Sequence, residues 1–255
     1  HWRFPQSRNK PFPQRYMAAL RYWYDWWLYR RFANHLFLPS LAMRSALPGN
    51  WPSDRITALP PGSQIFAPKT DKEFRHIPLN IFYVGGIVPP LYDLKFMFDV
   101  MGTLEDVQLT VCCRNSEWEA LKNYYAPFDD KKIRIVHVSD EDLKVYYTAA
   151  DLFGLWWKPN SYLDFAMPVK LFEALGYAVP IVTTGGTEVA RFVAREDVGW
   201  VVDTKADLQI LLTRLRDNRD EIAMKRARML DIQAQHTWQV RARTVADVLK
   251  VRSAV

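Results

Sequence analysis

Residues 167–184 read MPVKLFEALGYAVPIVTT, a helix that opens on a proline and runs into an apolar strand. Pro168 suits a first helical position, because it has no N–H to lose there. The expected helix covers 168–177. Lys170 stands in its first turn, where the helix dipole favours anions over cations. A cation there makes sense if a doubly charged ligand is shared between the ammonium and the open amides of the helix start. Glu173, one turn further on the same face, can accept hydrogen bonds from a diol such as a ribose. The plainer alternative is a solvated Lys170 paired with Glu173.

The sequence around this stretch alternates in the same way. NIFYVGG, DVQLTVCC, IRIVHV, DLFGLWW, VPIVTT and GWVV are short strands, apolar almost throughout. Between them lie the amphipathic helices YDLKFMFDVMG, closed by Gly102, SEWEALKNYYA, SDEDLKVYYTAA with Ser139 as N-cap, and GGTEVARFV. The tail from Lys205 reads as helical throughout. Strands without a polar face, separated by helices, predict an α/β domain, a Rossmann-like parallel sheet with helices on both faces. Ligands of such sheets bind at the carboxyl ends of the strands. The loops there are VGGIVPP, CCRNS, HVSDE, WWKPNSYLDFAMPVK and TTGGTE.

Composition limits the classes open to the chain. Of its 255 residues, 49% are hydrophobic and 24% charged, as in a soluble globular protein. No apolar run reaches bilayer length, and the N-terminus lacks a signal peptide's apolar core. The two cysteines, Cys112 and Cys113, are adjacent and cannot form an ordinary disulfide. The five histidines have no zinc spacing with them, so no metal is expected and a reducing, cytoplasmic setting fits. Residues 1–76 hold 12 Lys or Arg against 4 Asp or Glu, a net +8, while the remainder is slightly acidic. The chain is therefore expected to comprise a basic appendage, 1–64, a Pro/Gly-rich linker, 65–78, and the sheet domain, 79–255.

The appendage carries the helix QRYMAALRYWYDWWLYRRFANHLFLPS, which ends in a short apolar run at 35–38, then a short strand in RITAL. Trp23, Trp26, Trp27 and Phe32 beside arginines fit an interfacial helix over 15–36 that meets anionic lipid, a peripheral membrane contact. The preferred reading of the same residues is as core side chains whose covering domain is elsewhere. Basic charge alone attracts nucleic acid without specificity, and no recognition motif accompanies it, so no nucleic-acid partner is expected.

Two glycine turns flank the sheet. Gly85-Gly86 is not the dinucleotide fingerprint, because Ile87-Val88-Pro89-Pro90 follow and no acidic residue stands in the ribose position; this argues against a nicotinamide-dependent oxidoreductase. Gly185-Gly186 would let a ligand approach the backbone, and Thr183, Thr184 and Thr187 add hydroxyls.

PVKLFEALGYAVPIVTTGGTEVARFV resembles the donor-site segment of GT-B glycosyltransferases of the family 4 type, with its P-x-K-x-x-E pattern and glycine loop. FYVGGI, YYTAADLFGL, VGWVVD and TWQVRARTVADVL are similar to further elements of that family, so the likeness covers 79–255. LPSLAMRSAL and DRITALPPGSQI resemble the end of its N-terminal domain. The resemblance implies a hexosyltransferase-type enzyme that moves a sugar from a nucleotide-diphosphate donor of UDP or GDP type. It implies a polysaccharide or glycolipid acceptor, retention of configuration and no metal or further cofactor. Carried over, Lys170 would meet the diphosphate and Glu173 the ribose. Gly85, Gly86, Thr184, Gly185, Gly186 and Thr187 would pack on phosphate or sugar. Arg114, His137 and Ser139 stand at strand ends where the base would sit, and Ser161 and Tyr162 would be candidates to contact the sugar.

The chain departs from the pattern in three places. The position eight before Glu173, where the family has a second glutamate, is Phe165, with Asp164 one residue off. GGIVPPLYDL lacks the arginine and lysine that the family's first loop brings to the diphosphate. Only the end of an acceptor domain is recognisable, which implies an incomplete fragment that binds donor and transfers little. A catalytically silent sugar-nucleotide-binding or scaffold module is the alternative reading.

Overall fold

The computed structural model describes residues 14–66, 78–139 and 141–253. Residues 1–13 of the appendage and 67–77 of the expected linker lie outside that description. The chain divides into two compact units, His1–Pro60 and Pro61–Val255.

In the first unit, helix α1 (Gln14–Phe32) precedes strand β1 (Leu36–Leu38), which pairs in parallel with β2 (Ile56–Ala58). Two short 3-10 turns, Leu41–Ala46 and Ser53–Arg55, join the strands. Arg55 clamps the end of α1 by donating to the carbonyls of Ala33 and Asn34, and His35 Nε2 meets Thr57 Oγ1 at 2.8 Å. Of the four aromatics singled out in α1, Trp26 alone is buried; Trp23, Trp27 and Phe32 are exposed. Tyr16, Leu20, Trp23 and Trp27, spaced four, three and four, form one exposed stripe along the helix, a heptad-like seam.

The second unit is built on six parallel strands in the order β5-β4-β3-β6-β7-β8. In chain order they are β3 (Leu79–Val84), β4 (Val107–Cys112), β5 (Ile133–Val136), β6 (Leu152–Leu155), β7 (Ile181–Thr184) and β8 (Gly199–Val202). These are the six expected strands, and the order is that of a doubly wound sheet with its switch point between β3 and β6. The intervening helices are α2 (Lys95–Thr103), α3 (Asn115–Tyr125), α4 (Leu143–Ala149), α5 (Val169–Gly176) and α6 (Glu188–Glu196). The tail forms α7 (Lys205–Asp217), α8 (Asp220–Ile232) and α9 (Trp238–Ser253).

Alternate strand residues feed two cores, one on each face. Leu79, Ile81 and Tyr83 pack with Met97, Met101 and Leu212, while Phe82 and Val84 pack with Tyr147, Leu171 and Phe172. The short helix α4 leaves part of the second face uncovered. There Asn80, Gln108, Thr110 and Arg134 line a cavity of about 450 Å³ with Tyr146 and Ala149, towards the amino-terminal ends of β3, β4 and β5.

Several local expectations are corrected. Gly102 does not close its helix, which runs on to Thr103. Ser139 is not an N-cap: its carbonyl accepts from Asp142 N and Leu143 N, and the helix starts at Leu143. Pro168 stands at the N-cap with extended backbone, so α5 begins one residue later than expected. The tail breaks at Asn218 and at Thr237 instead of running unbroken.

Segment 61–66 packs on the sheet unit. Ser63 N donates to His236 O and Trp238 N to Ser63 O, and Phe66 N donates to Gly176 O at 2.9 Å. A Cβ on Gly176 would stand 2.2 Å from Gln64 O and 2.4 Å from Ser63 Oγ, so only glycine lets this strand of chain cross the end of α5.

Candidate functional site

Loops leaving β3, β6 and β7, the three central neighbours, meet at the carboxyl-terminal edge of the sheet, and α5 starts from the second of them. The N-cap residue Pro168 offers α5 no side-chain acceptor. Lys170, in the first turn, donates from Nζ to Glu173 Oε2 at 2.8 Å; both side chains keep about a quarter of their surface exposed. The plainer alternative for this pair, the ion pair, is thus what the structure contains. Glu173 Oε2 also accepts from the Tyr147 hydroxyl at 3.0 Å. Burial first, and then the charge of Glu173, hold the Tyr147 phenol well above its ordinary pKa. Tyr177 is raised for the same two reasons.

The first glycine loop is bound down on all sides. The Tyr83 hydroxyl donates to Gly86 O at 2.5 Å, and Tyr125 donates to Ile87 O at 2.6 Å. Ile87 N donates to Glu117 Oε2, whose other oxygen takes Arg114 at 2.5 Å. Arg114 otherwise reaches into solvent. His137 Nδ1 meets Cys113 O at 2.8 Å, and Ser139 Oγ donates to Asp142 Oδ2 at 3.3 Å.

In the β6 loop an Asx turn forms, with Asn160 Oδ1 accepting from Tyr162 N at 2.9 Å. Ser161 and Tyr162 are exposed on it. Arg191 donates to Asp164 O and pairs with Glu188, tying the loop to α6. Phe165, eight residues before Glu173, packs edge-on against Tyr162 at 5.7 Å.

The threonines of the β7 loop are engaged with the backbone. Thr184 Oγ1 donates to Trp157 O at 2.7 Å and accepts from Trp157 N, while Thr183 Oγ1 donates to Leu155 O. Thr187 Oγ1 accepts from Ala190 N at 3.0 Å and caps α6. Gly186 has φ +70°, and Gly185 leaves room for the Asp203 carboxylate, which would stand 1.9 Å from a Cβ there. The hydroxyls expected to face a ligand therefore organise the loop, and the close approach at Gly185 is made by Asp203.

Three residues at this edge escaped the sequence reading. Tyr147 and Tyr177 surround Glu173. Tyr92 lies against Gly86, stands edge-on to Trp157 at 6.0 Å, and has its pKa raised by burial and then by Tyr162. The only signal for Tyr147 was its place in YYTAADL, and nothing marked Tyr92. Asp151 of the same motif is structural: its carboxylate accepts from Asn80 N at 2.9 Å and from Arg219.

Strand order, strand-end loops and the charged first turn of α5 define a doubly wound domain of the kind that forms one half of a GT-B glycosyltransferase. The chain belongs to the glycosyl transferase-like family, whose profile matches residues 90–247. Among solved structures it is similar to HepE of Anabaena, a structure with UDP and glucose. There the TM-score is 0.71 at 14% identity, over 92% of this chain and 67% of that one. It is similar to WaaG, a glycosyltransferase involved in lipopolysaccharide biosynthesis, with TM-score 0.62 at 15% identity, over 95% and 70%. A sucrose-phosphate synthase from Thermosynechococcus elongatus gives 0.65 at 18% identity, over 86% and 58%. The chain thus spans between 58% and 70% of the length of these structures. No curated protein matches it in sequence.

Proposed function

We propose that this chain carries the donor-binding half of a glycosyltransferase that takes a sugar from a nucleotide diphosphate of UDP or GDP type. The observation that carries the reading is the Lys170–Glu173 pair on the first turn of α5, beside the strand-end loops. A partly exposed ion pair of this kind is worth less than about 1 kcal/mol, whereas charge-assisted bonds to a phosphate are worth roughly 1.5–3 kcal/mol each. A diphosphate can therefore take Lys170 away from Glu173, with the amides of the helix start as its other partners. Glu173 is then released to accept from ribose hydroxyls. The leaving nucleotide diphosphate gains negative charge in the transition state, and the same ammonium and helix dipole stabilise it, in place of a metal ion. HepE, solved with UDP and glucose, supports the ligand class.

The finer reading has a retaining, hexosyl-type transfer onto a saccharide or lipid-linked acceptor in polysaccharide biosynthesis, at the cytoplasmic side of a membrane. The exposed aromatic stripe of α1 supports a peripheral contact with lipid. Among the described residues no helix is long and apolar enough to cross a membrane. A non-catalytic sugar-nucleotide-binding module is the second reading, favoured by Phe165 in place of an acid. Calorimetric titration of UDP, GDP and their sugars into wild type and Lys170→Ala tests the proposal. Binding that weakens about tenfold or more in the variant supports it, and equal affinities remove the role given to Lys170.

A further inference from the structure

Both donors to Glu173 use the same oxygen. Lys170 Nζ stands 2.8 Å and the Tyr147 hydroxyl 3.0 Å from Oε2, while Oε1 takes no hydrogen bond from the described residues. If a diphosphate draws Lys170 away, Tyr147 is the donor that remains. We infer that Tyr147 is a positioning residue of the donor site, keeping the Glu173 carboxylate in place for a ribose once Lys170 has turned to the phosphates. The inference rests on the donor reading above for its ligand, though not for its geometry.

Tyr147 is built to hold still. It is 1% exposed, with Phe82 edge-on at 5.0 Å and Phe153 at 5.4 Å. Its ring stacks on Tyr177 at 4.6 Å with the planes 4° apart, and Tyr177 stacks in turn on Phe66 at 4.3 Å and 12°. Phe66 is itself held by the hydrogen bond its N–H donates to Gly176 O, at the carboxyl end of the helix that carries Glu173. Three parallel rings thus run from segment 61–66 to the buried phenol. Because that phenol is kept from ionising, it is a donor at every working pH.

Calorimetry on wild type and Tyr147→Phe separates this role from plain support. The ligands are UDP or GDP, whichever binds wild type, the matching 2′-deoxy diphosphate, and inorganic pyrophosphate. Losing one hydrogen bond to a carboxylate predicts that the preference for ribose over deoxyribose falls about three- to tenfold, with pyrophosphate affinity changed less than about twofold. A uniform loss for all three ligands, which general loosening would cause, overturns the inference, as does an unchanged preference. Crystal structures of ligand-free Lys170→Ala and Lys170→Ala, Tyr147→Phe give an independent reading, since Lys170 no longer holds the carboxylate in either: Glu173 is expected to keep its place in the first and leave it in the second, and a carboxylate that stays in the second overturns the inference. If wild type binds no nucleotide, or Glu173→Ala keeps the ribose preference, the donor reading falls. The displacement between those crystal structures then still decides the part played by Tyr147.

Discussion

Lys170 sits where a helix disfavours positive charge, and its neighbour at the third position answers that charge within the molecule. The neighbourhood of a residue, more than its type, separates ligand groups from structural ones here. Thr187 illustrates this. It lies in a glycine loop beside the site, yet its hydroxyl caps α6 and donates to Thr184 O. Thr187→Ala is expected to lower the unfolding free energy by about 1–2 kcal/mol and to leave nucleotide affinity within about twofold. Denaturant unfolding and calorimetry check the two halves of that statement. A large loss of affinity at unchanged stability would return the hydroxyl to the ligand. Residue types and spacing made Lys170, Glu173 and the glycine turns legible in the sequence. The second partner of Glu173 was not legible, because Tyr147 is 26 residues away and its role depends on how α4 and α5 pack against one sheet face.

At the scale of elements, the strands were legible because each is a short, largely apolar run, with the central β6 and β7 buried almost throughout, and six such runs allow few other folds. Helix boundaries were less so. Ser139, three residues before Asp142, carries the letters of a capping motif, but its carbonyl accepts from Asp142 N and Leu143 N, and the helix starts at Leu143. Gly102 was read as a stop, although a glycine in the last turn of a helix costs only about 1 kcal/mol when tertiary contacts favour continuation. Gly176 is the opposite case, a glycine whose purpose appears only in three dimensions. Gly176→Ala drives a methyl into the backbone of Gln64 and is expected to destabilise the sheet unit by about 2–4 kcal/mol. It should also unstack Phe66 from Tyr177. A midpoint shift in denaturant accompanied by a change in near-ultraviolet circular dichroism would report both; a neutral variant would show that segment 61–66 is not held there.

At the scale of the molecule, two long-range features carry predictions. His236 is wedged against Phe172 and Phe192 with Arg241 bonded to its Nδ1. Burial, and then Arg241, lower its pKa from 6.5 to about 4. The unfolded chain therefore takes up this proton before the folded one does. The contribution is complete above about pH 6.5 and is lost as pH falls towards 4, about 1–2 kcal/mol once solvent screening is allowed for. His236→Leu should flatten the stability profile of the protein within that window and leave it unchanged above pH 7; parallel profiles would contradict the assignment. The second feature is the exposed Tyr16, Leu20, Trp23 and Trp27 stripe among arginines. It predicts co-sedimentation with vesicles rich in anionic lipid that fades with salt and in a Trp23→Ser, Trp27→Ser variant. The charge division of the sequence made this unit legible as different in kind, whereas the burial of Trp26 beside an exposed Trp23 and Trp27 needed the folded chain.

The measurement that bears most directly on the donor site is a structure of the protein with the nucleoside diphosphate that binds it best. The account predicts phosphate oxygens within hydrogen-bond reach of Lys170 Nζ and the first amides of α5, with the Lys170–Glu173 pair opened and Glu173 on the ribose, still held by Tyr147. A diphosphate bound elsewhere, or one bound with that ion pair intact, would contradict it.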